Sequence, residues 1–154
     1  MSAQGDFDFL MGDWNVHNRR LKNPLTGSTS WYEFGATSKV RGIWDGLANV
    51  DEYVGDSPGG LIQGMTVRLF DPAAEQWRLY WANRKDGVFG VPTIGSFSDG
   101  RGEFFDQEFF TGRSIFVRYI WTPGTKTTCS WEQAFSPDGG TTWETNWIMD
   151  FTRT

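Results

Sequence analysis

The chain has 154 residues, 38% of them hydrophobic and 17% aromatic, with nine Trp and thirteen Phe. That length fits one domain, expected to span 1–154, with enough chain to bury a full core. A formal net charge of −5 with one Cys and one His excludes a basic nucleic-acid binder, an internal disulfide and a Cys/His zinc site.

The first element in chain order is short. Asp6-Phe7-Asp8-Phe9-Leu10-Met11 can make one or two helical turns, capped by Asp6, with Phe7, Leu10 and Met11 on one face and Gly12 as the stop. Beyond Gly12 no dozen residues keep a 3.6-residue period free of Gly or Pro. Strand-like runs replace it near 13–22, 29–39, 47–54, 62–70, 76–84, 88–97, 102–110, 113–121, 126–135 and 142–152. Turn signals separate them: Asn23-Pro24-Leu25-Thr26-Gly27, Gly55-Asp56-Ser57-Pro58-Gly59-Gly60, Asp71-Pro72, Ser98-Asp99-Gly100, Thr122-Pro123-Gly124 and Ser136-Pro137-Asp138-Gly139-Gly140. No apolar run approaches the ~20 residues of a membrane helix. The opening Ser2-Ala3-Gln4-Gly5-Asp6 is polar and carries no secretory pattern, so a cytoplasmic protein is expected.

Ten short strands joined by short turns predict an all-β, antiparallel up-and-down barrel, because closure removes the unpaired edges of so long a meander. A two-sheet sandwich is the alternative. Alternation gives each strand one buried face. The fifth strand offers Trp77, Leu79 and Trp81, the fourth Met65, Val67 and Leu69, and the last Trp143, Trp147, Met149 and Phe151. Trp14, Trp77 and Trp143 read as core.

Gly12-Asp13-Trp14 opens the first strand, and Phe151-Thr152-Arg153 ends the last. This pair of ends resembles the calycin signature of lipocalins and fatty-acid-binding proteins. The resemblance implies that Trp14 plugs the barrel floor and that Arg153 packs across it. Phe7 to Trp14, Leu69-Phe70-Asp71-Pro72 and the stretch from Ser136 to Glu144 are also similar to a bacterial, calycin-like domain family of unknown function. That likeness implies a fold and no substrate. Nitrobindin is a further ten-stranded relative in shape, with haem on a histidine near its C-terminal end. The only histidine here, His17, lies in the first strand, so the haem site does not carry over.

His17 is out of phase with Trp14 and Val16, which makes it a surface residue, with a base or ligand role as the alternative. Polar residues in phase with apolar ones are a sharper sign of a lumen. Asp51 and Tyr53, Trp81 and Asn83, Tyr119, Gln133 and Trp147 come from five strands and are expected to converge on one internal space. The register of the third strand is open, since Glu52 replaces Asp51 on a one-residue slip. Asp51 or Glu52 with Glu132 are the carboxylates available for acid–base work, and Arg68, Arg84 or Arg118 the partners for an anion. The expected function is binding of a small apolar or aromatic molecule in the lumen, oriented by a few hydrogen bonds. The alternative is a cofactor-independent isomerase, cyclase or decarboxylase in the same cavity. No cofactor, metal, nucleic acid or membrane partner is expected.

Overall fold

A computed structural model of the chain describes residues 3–154. Met1 and Ser2, which begin the expected domain and its polar opening, lie outside the described residues. Ten strands follow one another: β1 (Gly12–Leu21), β2 (Trp31–Ile43), β3 (Ala48–Ser57), β4 (Gly60–Asp71), β5 (Gln76–Asn83), β6 (Thr93–Ser98), β7 (Arg101–Phe110), β8 (Arg113–Pro123), β9 (Thr128–Ser136) and β10 (Glu144–Arg153). Each pairs antiparallel with its sequence neighbours, and β1 pairs with β10 to close the barrel. No strand pair is left at an edge to recruit another chain. Among the described residues, no helix is long and apolar enough to cross a membrane.

The turns explain the meander. Asp99-Gly100 between β6 and β7 and Thr111-Gly112 between β7 and β8 all have positive φ. Two such central residues match the right-handed twist of the strands they join. The ladder is thinnest between β5 and β6, where only Trp77↔Gly95, Arg78↔Ile94 and Leu79↔Thr93 pair. The sixth strand therefore starts at Thr93 rather than at Val88, and residues 84–92 form a loop touching β5 through one Ala82↔Phe89 bridge.

Two face assignments are corrected. On β4 the inward side is Ile62, Gly64, Thr66, Arg68 and Phe70, and Met65 is 40% exposed. Arg68 overrides the apolar pattern because Asn49 and Asp51 on β3 accept from its two terminal nitrogens inside the barrel, while its Nε is buried without a partner. Trp143 is not core: it lies before β10 on the outside, with the Arg118 guanidinium 4.5 Å from its ring centroid. A bulge between Thr145 and Trp147 breaks the alternation that had aligned Trp143 with Trp147. The loop before it is held by Asp138, whose carboxylate accepts from Ser136 Oγ at 2.8 Å, Thr142 N at 2.9 Å and Thr142 Oγ1 at 2.5 Å. These bonds, that from the Thr142 hydroxyl first, draw its pKa down to about 2.

One end of the barrel is packed shut. A 3-10 turn, Asp8–Leu10, drives Phe7 and Leu10 into the floor. Asp6 does not cap this turn; its carboxylate accepts from Trp77 Nε1 at 2.9 Å and so ties the segment to β5. The Phe7 ring meets Trp77 and Phe97 edge-on, at 4.8 and 4.9 Å between centroids. Trp14 is 1% exposed, and its Nε1 donates to Leu10 O at 2.9 Å. The Arg153 guanidinium sits 4.1 Å from the Trp14 ring centroid and donates to the carbonyls of Phe9, Met11 and Lys126. Gly12 has φ +108, and a Cβ there would stand 2.7 Å from Arg153 Nη1, so only glycine fits under the arginine. Cys129 lies in the same floor, and burial pushes its thiol up to about 12, which makes it an inert packing residue.

Candidate ligand-binding lumen

The inner wall changes character along the barrel axis. Near the floor Trp14, Val40, Trp77, Phe104, Trp121 and Phe151 are at most 4% exposed. At the other end Arg20, Tyr32, Ile62, Trp81, Asn83, Phe110, Gln133, Phe135 and Trp147, all at inward positions, keep partial exposure. The lumen therefore opens at the end where β1, β3, β5, β7 and β9 finish. A pocket of about 450 Å³ occupies that mouth, lined by Arg20, Tyr32, Phe110, Gln133, Phe135 and Asn146 among others.

All seven sequence-derived positions lie on inward register, but they divide by what they do there. Asp51 is deep and occupied: Oδ2 takes a bond from Arg68 Nη2 at 2.6 Å and Oδ1 one from Thr66 N at 3.0 Å. Arg68 also donates to Asn49 Oδ1 at 2.7 Å, so this is a buried polar cluster between β3 and β4. Tyr53 OH and Trp147 Nε1 both donate to Asn18 Oδ1, at 2.7 and 2.9 Å. Burial, above all, raises the Tyr53 pKa and keeps the phenol a donor. Asn83 turns the chain at the rim, its Oδ1 accepting from Lys85 N at 2.9 Å. Gln133 Nε2 donates to Asn146 Oδ1 at 2.8 Å, bracing the β10 bulge.

Trp81, Tyr119 and Trp147 present surfaces instead. The Trp81 ring lies against the Gly64 backbone, where a Cβ would come within 2.2 Å of it, so glycine at 64 sets the ring's position. Its other neighbour is Tyr53, edge-on at 6.1 Å between centroids. Tyr119 packs on Trp131 at 5.0 Å, Trp131 packs on Trp147 at 5.5 Å, and the Arg20 guanidinium stands 4.0 Å from the Trp147 ring centroid. The Tyr119 hydroxyl has no hydrogen-bond partner among the described residues. Its pKa is raised, first by burial and then by Asp106 and Glu108.

Those two carboxyl groups were not anticipated. The run Phe104-Phe105-Asp106-Gln107-Glu108-Phe109-Phe110 is equally apolar in either phase, so alternation alone cannot orient it. Cross-strand pairing settles it: Gly102↔Trp121 and Phe104↔Tyr119 face inward, so Asp106 and Glu108 do too, while Phe109 is 83% exposed. Desolvation and the neighbouring Glu108 push Asp106 up to about 9, which leaves a neutral acid beside Glu108 at pH 7. A group held protonated in the folded state loses stability as pH rises from its unfolded pKa toward its folded one. Asp106→Asn is therefore expected to raise the melting temperature at pH 8 by an amount equivalent to ~1 kcal/mol or more, and to leave it unchanged at pH 4. Melting curves of both proteins across that range check this; an equal shift at both ends would mean that Asp106 is charged.

The other carboxylates and arginines considered for chemistry face away. Glu52 is exposed, Glu132 pairs with the outward Ile120 and Ile148, and Arg84 is bonded to Gln63 outside the wall. Arg118 covers Trp143 on the outer surface. His17 is exposed as well, with Nε2 2.7 Å from the Glu33 carboxylate.

No protein family and no curated protein matches the chain. Solved structures do. The structure of the S-type phycobiliprotein lyase CPES from Guillardia theta superposes with a TM-score of 0.67 at 13% identity, covering 100% of this chain and 93% of that one. The crystal structure of Rv2717c from M. tuberculosis gives 0.63 at 11% identity, covering 100% and 98%. The likeness is one of fold, a lipocalin- or calycin-like barrel over the whole of this chain and more than nine-tenths of each of the others.

Proposed function

We propose that the chain binds a small apolar or aromatic molecule in its lumen, taken in through the open end. The observation that carries this reading is the asymmetry of the inner wall. A floor of fully buried side chains gives way to partly exposed Trp81, Trp147, Tyr32 and Phe110 interleaved with polar groups. A cavity that is mostly apolar with a few convergent polar groups is what a small-molecule site requires. The same barrel belongs to a protein described as a phycobiliprotein lyase, so the architecture is compatible with work on a bulky organic group.

The size of the effect can be bounded. At about −0.4 kcal/mol per heavy atom, a ligand of roughly 12 heavy atoms binds with a Kd of hundreds of micromolar. Calorimetric titration of the full chain with 1-naphthalenemethanol and with a medium-chain fatty acid tests the proposal. Binding of either probe in that range is expected. Trp81→Ala should weaken it at least about tenfold by removing a stacking wall, and Trp44→Ala, 67% exposed at the closed end, should not change it. Absence of binding by every probe at millimolar concentration, or an equal loss in both variants, would overturn the lumen as the site.

A further inference from the structure

The lumen carries two buried polar atoms on its β6–β7 side that no group of the fold bonds, Thr93 Oγ1 and Asp106 Oδ1. Thr93 begins β6 on the inward face, 1% exposed, and its Oγ1 has no partner. Asp106 follows directly across the sheet, one step beyond the last paired positions Ile94↔Phe105, and its Oδ1 is likewise buried without a partner. Glu108 lies two residues further toward the mouth on the same face, exposed at the rim and hydrogen-bonded to the Asp106 carboxyl. Tyr119 on β8 adds the free hydroxyl described above. A buried polar atom without a partner costs roughly 1–3 kcal/mol, so two neighbouring atoms left in this state, Thr93 Oγ1 and Asp106 Oδ1, mark a place built for something to fill.

The chemistry of the set selects the occupant. Four oxygen-bearing side chains, two of them carboxyl groups, disfavour an anion. A metal ion would want three or more ligating side chains, and among the described residues no three of His, Cys, Asp and Glu come together. An alkylammonium group has three donors and no acceptor, which matches a cluster of acceptors. The aromatic walls formed by Tyr119, Trp131 and Trp147 favour a cation by their ring faces and an aryl group by their area. The positive charges already in the lumen have partners of their own, and of the cluster only Tyr119 feels one of them, Arg68. Arg68 from β4 is bound to Asp51 and Asn49, and Arg20 lies over Trp147 on β10.

We infer that the lumen ligand is an arylalkylamine, seated with its ammonium group against Asp106, Glu108, Thr93 and Tyr119 and its ring among the tryptophans. The inference rests on the lumen being the binding site. It also explains why a neutral acid is kept beside a carboxylate: an arriving cation lets Asp106 release its proton and become a second counter-charge.

Calorimetry on the full chain at pH 7.5 with three probes of one shape tests it: 1-naphthylmethylamine, 1-naphthalenemethanol and 1-naphthylacetate. The amine is expected to bind at least about tenfold more tightly than the alcohol, with the acetate weakest. Its binding heat should change with the ionisation enthalpy of the buffer, because a proton leaves the site. In Asp106→Asn and in Glu108→Gln, each checked for its fold by circular dichroism, the amine-to-alcohol ratio should fall to within about threefold. If the alcohol binds and the amine gains nothing, or the acetate is preferred, or the preference survives both substitutions, the amine inference falls and lumen binding stands. If none of the three binds, both fall.

Discussion

Trp14→Ala is expected to destabilise the protein by about 3–5 kcal/mol, the range for truncating a fully buried indole. More than volume is lost. The indole donates to Leu10 O, holding the 3-10 turn against the floor, and its face carries the Arg153 guanidinium. Removing the ring strips Arg153 of its platform while leaving it bonded to the carbonyls of Phe9, Met11 and Lys126. Phe151, edge-on to Trp14 at 5.9 Å, loses a neighbour too. For a chain of this size, 1 kcal/mol is roughly 2–4 °C in Tm, so a fall of about 10 °C is expected. Urea unfolding followed by circular dichroism gives the value. A loss under about 1 kcal/mol would show that the floor closes without its tryptophan.

The second large effect is electrostatic. Asp51→Leu leaves the Arg68 guanidinium, 2% exposed, without its counter-ion, and should cost about 3–5 kcal/mol. The companion Arg68→Met strands Asp51 in the same way. Exchanging both partners, Asp51→Leu with Arg68→Met, removes the charge together with its desolvation and should recover most of the loss. A remainder of ~1–2 kcal/mol is expected, because Asn49 Oδ1 and Thr66 N each lose a partner. The double-mutant cycle should therefore show a coupling of ~2 kcal/mol or more. Strict additivity would mean that the two charges stabilise the wall independently. Asp51 is on this account a structural residue of the inner wall, and the acid available to a ligand is Asp106.

Much of the barrel was legible because a meander is a local fold. Each strand pairs with the next, so Pro/Gly turns and two-residue alternation were enough to lay out ten strands and their closure. The two ends, Gly12-Asp13-Trp14 and Arg153, were legible through their resemblance to the calycin signature, and the structure brings that glycine, indole and cation together. Faces were legible where one side was plainly apolar, as at Trp77, Leu79 and Trp81. They were misread where a charge had been brought inside by a partner on another strand, since Arg68 needs Asn49 and Asp51 and no window along β4 contains them. Trp143 failed for a different reason: a bulge adds one residue to the count, and alternation carries no mark of it. Asp106 and Glu108 were hidden because phenylalanines flank them in both phases, and only the pairing of β7 with β8 chooses between the two.

Ligand is expected to enter at the open end and to touch the tryptophans of the upper lumen. Fluorine NMR of the chain labelled with 5-fluorotryptophan, titrated with 1-naphthalenemethanol and with resonances assigned by single Trp→Phe substitutions, tests it residue by residue. The resonances of Trp81, Trp131 and Trp147 are expected to move with the probe, while those of Trp14 and Trp77 in the floor and of Trp44 and Trp143 on the outer surface stay in place. Movement confined to Trp31, Trp44 or Trp143, or none at saturating probe, would contradict the account.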